Sequence, residues 1–92
     1  MGFAAIESRD YWVSVGDALQ QHWALVEAEE DGSATVYRLD GSSVIFDTMR
    51  FECEESARAR LRRDGFVRFS EDPWLQTFLA PPEPPFRVSG ES

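Results

Sequence analysis

Two segments near the middle of the chain are rich in apolar and β-branched residues that favour β-strands. They cover residues 23–30 and 33–39, and Asp31-Gly32 separates them. An Asp-Gly pair between β-rich segments is typical of a two-residue type I′ turn, because both central residues of that turn need a positive φ. We therefore predict a β-hairpin in which Val26 faces Tyr37 across the two strands.

The predicted register places the side chains of this hairpin on two faces. One face is apolar throughout and is expected to be the core face. The other face is acidic near the turn and apolar near the open end, where it carries Trp23, Leu25 and Val36. Leaving these three side chains in water would forfeit several kcal/mol at about 25 cal/mol per Å². We expect them to be covered either by terminal segments of the chain or by a partner protein, which includes a second copy.

Strand patterns continue after the hairpin. Asp40-Gly41-Ser42 is a turn sequence, and the β-branched and aromatic segment 43–46 follows it. Residues 49–53 then alternate apolar and polar side chains, which would bury Cys53 as a small apolar side chain. Asp47-Thr48 is expected to interrupt the two segments with a bulge or a bend. These patterns predict an antiparallel β-meander of three to four strands.

Residues 54–64 have the features of the main helix. Acids occupy its first turn and arginines its last turn, which complements the helix macrodipole. Gly65 stands where a left-handed residue ends many helices, and Phe66 is placed to fold back on Leu61. Val67 and Phe69 then suggest a short strand that returns to the sheet.

A second, short helix is predicted after this strand. Ser70 is its expected N-cap, and Pro73 lies near its first turn. Trp74 and Phe78 are one helical turn apart, so they share one side of this helix. The proline-rich segment 81–85 must end the helix because proline cannot continue it.

The predicted fold class is therefore α+β. A single small domain over residues 1–80 contains the meander, the main helix packed on it and the second short helix. Residues 81–92 are expected to form a proline-rich tail that is extended or mobile. The structure of residues 8–21 stays open, because Tyr11-Trp12-Val13 is typical of a strand whereas the segment 14–17 resembles a helix capping box.

The composition is that of a folded domain with a large negative charge. Of the 92 residues, 42% are hydrophobic, 17 are acidic and 9 are basic, which gives a formal charge of -8. This charge repels nucleic acid and anionic membranes at long range, so neither is expected as a general partner. No apolar segment approaches the roughly 20 residues of a membrane-spanning helix. Lysine and asparagine do not occur, a usage that we interpret as the codon bias of a GC-rich bacterial genome.

The charge is distributed unevenly along the chain. Residues 1–56 hold twelve acids and three arginines, whereas residues 57–70 hold five arginines and one acid. The five arginines are Arg58, Arg60, Arg62, Arg63 and Arg68. One interpretation is a basic patch through which a nucleic-acid-associated regulator would act, using helix 54–64. The other is a solvated helix surface with ion pairs such as Glu54–Arg58 at i,i+4 spacing.

Patterns for catalysis or metal binding are scarce in this sequence. It has one cysteine, Cys53, and one histidine, His22, which leaves no internal disulfide and no Cys/His metal cluster. Neither a glycine-rich phosphate loop nor a serine nucleophile motif occurs. We expect no catalysis and no cofactor, and an enzyme would require His22 and Cys53 to converge in the fold. The lack of disulfides favours the reducing cytoplasm.

The expected function is the binding of another protein. A small, acidic, cytoplasmic bacterial protein of this kind would be an inhibitor, an immunity-type protein or an adaptor, and a homodimer is a further arrangement. The expected interface consists of Trp23, Leu25, Val36, Glu27, Glu29, Glu30, Asp31 and Trp74. Carboxylates at strand spacing suit a basic partner or imitate phosphates. Two alternatives are a solvated hairpin tip that prevents edge aggregation and a cation shared by Glu27 and Glu29.

Overall fold

The computed structural model describes residues 3–16 and 20–88, which form one seven-stranded sheet and two helices. The strands are β1 (Phe3–Ala4), β2 (Asp10–Val15), β3 (Gln21–Ala28), β4 (Ala34–Leu39), β5 (Val44–Phe51), β6 (Val67–Arg68) and β7 (Phe86–Val88). The helices are α1 (Glu54–Arg63) and α2 (Pro73–Phe78), and a 3₁₀ turn (Phe69–Glu71) precedes α2. Across the sheet the order is β1-β7-β5-β4-β3-β2-β6. The α+β class is confirmed, whereas three to four strands understated the sheet.

The additional strands lie mainly at the edges of the sheet. β1 and β7 have two and three residues, too few to show a period-2 pattern in a sequence. β7 runs parallel to β5, unlike the other, antiparallel pairs, and it joins residues as distant as Val44 and Arg87. Within residues 8–21, whose structure the sequence left open, residues 10–15 form the strand β2, which pairs with β3. Asp17, the last residue of the candidate capping box, lies outside the described residues.

The turn between β3 and β4 differs from the predicted two-residue turn. Gly32 N donates to Glu29 O at 3.1 Å, and Gly32 has a φ of 92°. Glu29 N donates to Ser33 O at 2.8 Å. This is a three-residue loop, in which a type I turn is followed by a left-handed glycine. The predicted type I′ turn is therefore wrong.

The longer loop shifts the register of the hairpin by one residue. Val26 faces Val36, not Tyr37 as predicted. Because side chains alternate along a strand, the shift turns every β4 side chain to the other face of the sheet. Val36 consequently lies on the face opposite to Trp23 and Leu25.

One face of the sheet packs against α1. Its buried core consists of Trp12, Ala24, Val26, Ala34, Val36, Ala57, Leu61 and Phe66. α1 ends as predicted at Gly65, whose φ is 93° and whose N–H donates to Arg62 O at 3.1 Å. Phe66 N donates to Leu61 O at 2.9 Å. These two bonds form a Schellman motif, which stops the helix and turns Phe66 towards the sheet.

The opposite face is covered by segments from both ends of the described chain. Its buried core consists of Ile6, Tyr11, Val13, Trp23, Leu25, Leu39, Ile45 and Phe86. Partly buried side chains pack against this core, namely Ala4, Tyr37, Phe69, Leu75 and Leu79. The sheet is therefore enclosed between α1 on one face and, on the other, a covering layer formed by the segments that carry Ile6, Phe69, Leu75 and Leu79.

The proline-rich segment belongs to this covering layer. The Tyr11 hydroxyl donates to Pro82 O at 2.5 Å. Phe86, which follows in β7, is only 1% exposed. Pro82 and Phe86, which lie in the predicted proline-rich tail, are therefore packed against the rest of the domain. Residues 89–92 lie outside the described residues.

β5 is one strand where the sequence predicted two. Arg38 in β4 pairs with Asp47, so the strand continues through the expected bend. The next residue, Leu39, pairs with Ile45, which leaves Phe46 as the extra residue of a β-bulge. The irregularity is thus present but lies one residue earlier than predicted.

α2 begins two residues later than the cap prediction implied. Its N-cap is Asp72 instead of Ser70. The Asp72 carboxylate accepts hydrogen bonds from Trp74 N and Leu75 N at 3.0 and 3.2 Å. Pro73 occupies the first turn of the helix, as predicted. Among the described residues, neither helix is long and apolar enough to cross a membrane.

Candidate functional site

Three of the four apolar residues of the expected interface lie inside the protein. Trp23, Leu25 and Val36 are each 0% exposed. The Trp23 ring meets the rings of Tyr11 and Phe69 edge-on, with ring centroids 6.0 and 5.5 Å apart. Val36 is under α1, because the hairpin register differs by one residue from the prediction. The chain itself therefore covers all three residues, and they are not available to a partner.

The acidic residues of the hairpin act partly as local structural groups. Asp31 accepts hydrogen bonds from Ser33 N at 3.0 Å and from Ser33 Oγ at 2.6 Å, and these bonds lower the pKa of Asp31. Glu29 accepts a hydrogen bond from the Thr35 hydroxyl at 2.8 Å. Glu30 is exposed at the tip of the turn. The tip is therefore a folded, charged loop whose outer carboxylates face solvent.

The arginines of the expected basic patch are held by internal partners, beginning with a buried carboxylate on β2. The Asp10 carboxylate is 13% exposed and accepts a hydrogen bond from Arg68 Nε at 2.7 Å. The same carboxylate lies 3.4 Å from Arg58 Nη2. Arg58 Nη2 also donates to Glu54 at 3.2 Å, the i,i+4 pair that the sequence predicted. Asp10 thereby links β2 to α1 and β6.

The other arginines of the patch have more exposed partners. Arg60 Nε donates to Asp64 at 3.1 Å across one helical turn. The Arg62 guanidinium lies 5.1 Å from the centroid of the Trp12 ring, which is a cation–π distance. Arg63 is exposed. Three of the five arginines are thus paired with an acid, which reduces the positive charge available to a phosphate backbone.

We therefore expect no stable complex with nucleic acid. Phosphate contacts are strongest at low salt, so about 50 mM salt is the most permissive condition for detecting one. Neither the wild-type protein nor the variant Arg60→Ala/Arg63→Ala is expected to retard duplex DNA or single-stranded RNA in an electrophoretic mobility assay. Retardation by the wild type that is lost in the variant would favour the nucleic-acid-associated regulator instead.

The two residues considered for catalysis lie at opposite ends of α1. Cys53 is the N-cap residue, is half-buried instead of buried, and has a pKa lowered by its contact with Ser56. His22 lines a cavity together with Asp64, which caps the other end of the helix. A helix of ten residues is about 15 Å long, so the fold does not bring His22 and Cys53 together. In the part of the chain that the structure describes, no group of three or more His, Cys, Asp or Glu residues is arranged to hold a metal ion.

The cavity beside His22 connects residues that the sequence did not link. Its lining consists of Ser14, His22, Arg38, Asp64 and Phe66. Ser14 and His22 are directly opposite each other in β2 and β3. From the sequence, Ser14 is considered only as part of a helix capping box. A β-strand at Ser14 is what places it beside His22.

An aromatic pair on α2 provides the most exposed large apolar side chains among the described residues. Trp74 is 67% exposed and Phe78 is 64% exposed. Their ring centroids are 4.6 Å apart, with the ring planes tilted by 46°. Leu75 and Leu79 pack towards the core, so the residues on the other side of the short helix must face solvent. We call Trp74 and Phe78 the aromatic patch.

Acidic residues lie near the aromatic patch and on the same side of the sheet. Glu71 and Asp72 directly precede the turn that starts α2. Glu27 and Glu29 face the same side as Trp23, against whose cluster α2 packs. At about 3.3 Å per residue, roughly 20 Å of strand separates Trp23 from Glu29. One face of the molecule therefore presents exposed aromatic rings at one end and carboxylates at the other.

No protein-family model, curated protein or solved structure matches this chain significantly. Its functional interpretation therefore depends on the geometry and charge of its own residues.

Proposed function

We propose that this chain is a small, acidic, cytoplasmic bacterial protein that acts by binding another protein, as an inhibitor, an immunity-type protein or an adaptor does. The observation that carries the proposal is the exposure of the aromatic patch, in which two thirds of each side chain faces solvent. Tryptophan and other aromatic residues are enriched at the energetic centres of protein interfaces. The patch takes the place of Trp23, Leu25 and Val36 as the apolar part of the interface.

The area of the aromatic patch is large enough to matter energetically. Aromatic side chains bury about 150–250 Å² each when they are fully covered. Covering the exposed two thirds of both rings would remove about 200–300 Å² from water, a gross gain of about 5–7 kcal/mol at 25 cal/mol per Å². Part of this gain is offset by the entropy lost on association. A surface of this kind supports a moderate affinity when a polar rim surrounds it.

The charge around the patch favours a basic partner. Glu71 and Asp72 are adjacent to it, the hairpin acids share its face, and the whole chain carries a formal charge of -8. A standard interface covers about 800 Å² per partner, which corresponds to a patch about 30 Å across. The roughly 20 Å between Trp23 and Glu29 fits within it, so one partner would reach both the aromatic patch and Glu27, Glu29 and Glu30.

Affinity capture with matched variants tests this proposal. The wild type, Trp74→Ala/Phe78→Ala and the control Phe3→Ala serve as bait in extracts of the source bacterium, and captured proteins are identified by mass spectrometry. The affinity of each bait for the purified partner is then measured. Because each interface aromatic contributes about 2 kcal/mol or more, we expect the double variant to bind about 100-fold or more weakly. Phe3 is 60% exposed on the edge strand β1, so its loss should leave the affinity unchanged.

The contribution of the hairpin acids is measured separately, from the association rate and its dependence on salt. Replacing Glu27, Glu29 and Glu30 together with glutamine should slow association with the basic partner and weaken its salt dependence. A partner that binds Trp74→Ala/Phe78→Ala as tightly as the wild type would contradict the proposal. So would a wild type that dimerises in sedimentation experiments through the aromatic patch, because the patch would then be occupied by a second copy.

A further inference from the structure

A cavity of about 390 Å³ opens on the α1 side of the sheet, beyond the C-terminal end of that helix. The aromatic patch lies on the other side of the sheet, so the cavity is independent of the proposed protein interface. Small-molecule sites in proteins span about 300–1,000 Å³, and this cavity falls within that range.

The cavity exists because α1 is shorter than the strands beneath it. α1 stops at Arg63, and the Schellman turn places Asp64 and Phe66 at the rim. Among the described residues no helix lies above the sheet beyond this rim, and Ser14, His22 and Arg38 on neighbouring strands line the floor of the cavity. The three side chains share a face because each occupies the same phase of its strand.

Arg38 is held in place on this floor by two aromatic rings. Its guanidinium lies 5.7 Å from the centroid of the Phe46 ring and 5.5 Å from that of Phe66. The β-bulge in β5 supplies Phe46, and the helix stop supplies Phe66. Two aromatic contacts restrict the rotamers of the long side chain, so a bound ligand would meet a pre-organised guanidinium.

Arg38, unlike Arg58, Arg60 and Arg68, has no carboxylate partner in the part of the chain that the structure describes. Among the described residues, no Asp or Glu oxygen lies within 4.0 Å of its guanidinium nitrogens, and its Nε is buried without an acceptor. Asp47, which is opposite Arg38 in the register, accepts instead from Thr48 N at 2.9 Å. Asp64 at the rim is engaged by Arg60 at 3.1 Å. The guanidinium therefore has unused donors beside the cavity.

We infer that the cavity binds a small aromatic molecule that carries a carboxylate or a phosphate. The guanidinium of Arg38 matches the paired oxygens of either group. The imidazole of His22 and the hydroxyl of Ser14 supply further donors, and the Phe66 ring supplies a surface for the aromatic part of the ligand. The negative charge of the protein is screened within about 8 Å at physiological salt, so it slows the approach of an anion without preventing contact.

A titration followed by NMR tests this assignment. Isotope-labelled protein is titrated at constant ionic strength with phenyl phosphate, benzoate and inorganic phosphate. We expect saturable shifts at the backbone amides of Ser14, His22 and Phe66 with both aromatic ligands, and weaker binding of inorganic phosphate because it lacks the ring. The tighter of the two aromatic ligands shows whether the natural group is a phosphate or a carboxylate.

Matched arginine variants show whether Arg38 carries the binding. Arg38→Gln should raise the dissociation constant about tenfold or more, because it removes the charged guanidinium and its paired N–H donors. Arg50→Gln makes the same change on the opposite face of the sheet, where Arg50 pairs with Thr35, and should leave binding unchanged. If Arg38→Gln does not fold, Arg38→Lys keeps the charge but loses the paired N–H donors, and about a threefold loss is expected. Equal binding by Arg38→Gln and Arg50→Gln, or identical shifts with sodium chloride alone, would overturn the assignment.

Discussion

Replacing Trp23 with alanine is expected to reduce the free energy of unfolding by about 3–5 kcal/mol. The Trp23 side chain is fully buried between β3 and the covering layer, where it contacts the rings of Tyr11 and Phe69. Alanine removes these contacts and leaves a cavity that the rigid sheet cannot close. Because domains of this kind are stable by only about 5–15 kcal/mol, the variant should unfold at a much lower urea concentration. Far-UV circular dichroism measures the transition.

Trp74→Ala is the matched control for this prediction. It makes the same chemical change at a side chain that is 67% exposed, and a surface substitution of this type usually changes stability by less than about 0.5 kcal/mol. If Trp23→Ala does not fold at all, Trp23→Phe offers a smaller change of about 1–3 kcal/mol. Equal loss of stability in Trp23→Ala and Trp74→Ala would show that the two residues are not divided between core and surface as described.

Replacing Asp10 with alanine is expected to reduce the free energy of unfolding by about 2–4 kcal/mol. Removing one member of a buried ion pair destabilises by about 3–5 kcal/mol, and the partial exposure of Arg58 and Arg68 lowers this value. Without the carboxylate, Arg58 and Arg68 are left close together with like charges. The hydrogen bond from Arg68 to Asp10 raises the pKa of Arg68, so Arg68 keeps its charge at every physiological pH. Urea denaturation at neutral pH measures the loss.

A double-mutant cycle separates the ion pair from other effects of the substitution. Asp10→Ala, Arg68→Ala and the double variant should show a coupling energy of about 1–3 kcal/mol, as for residues in direct contact. The exposed pair Arg60–Asp64 is the comparison, because exposed pairs contribute at most about 1 kcal/mol. Additive losses for Asp10 and Arg68 would mean that their short contact does not stabilise the fold.

The helices were the most predictable part of this fold, because their signals are local. The acids and arginines of α1 and the glycine that follows it predict both ends of the helix to within one residue. The Leu61–Phe66 contact follows from the same Schellman motif. For α2 the sequence placed Trp74 and Phe78 on one side correctly. Its predicted N-cap, Ser70, was wrong, because Asp72 directly before Pro73 caps the helix instead.

The hairpin register was not predictable from the Asp-Gly pair alone. Gly32 has a positive φ in either type of turn, and the turns differ in whether Asp31 is left-handed as well. In the observed loop the Asp31 carboxylate accepts two hydrogen bonds from Ser33. Aspartate and asparagine side chains commonly bond in this way to the residue two positions further on. A single residue of loop length then decides whether Val36 faces Trp23 or α1.

The candidate sites depend on non-local features that a pattern of residues does not contain. In the sequence, Arg38 is one polar residue of a strand and nothing marks it as special. Its two aromatic neighbours come from the bulge at Phe46 and from the end of α1, which places Phe66 beside it. The aromatic patch is different, since Trp74 and Phe78 were recognisable as a pair. They face solvent because Leu75 and Leu79 are the side chains of this segment that pack against the core.

Because synthesis proceeds from the N-terminus, most of the covering layer is made after the sheet that it covers. Its aromatic and proline-rich part follows β2 to β5 and α1 in the chain, so a ribosome releases the β3–β4 hairpin several seconds before residues 69–86, at about 5–20 residues per second. During that interval Trp23 and Leu25 lie on a bare sheet face that would attract other nascent chains. The acids of the same hairpin are already present and repel copies of like charge. We therefore expect the acids of the hairpin to help keep each new chain separate until residues 69–86 complete the covering layer.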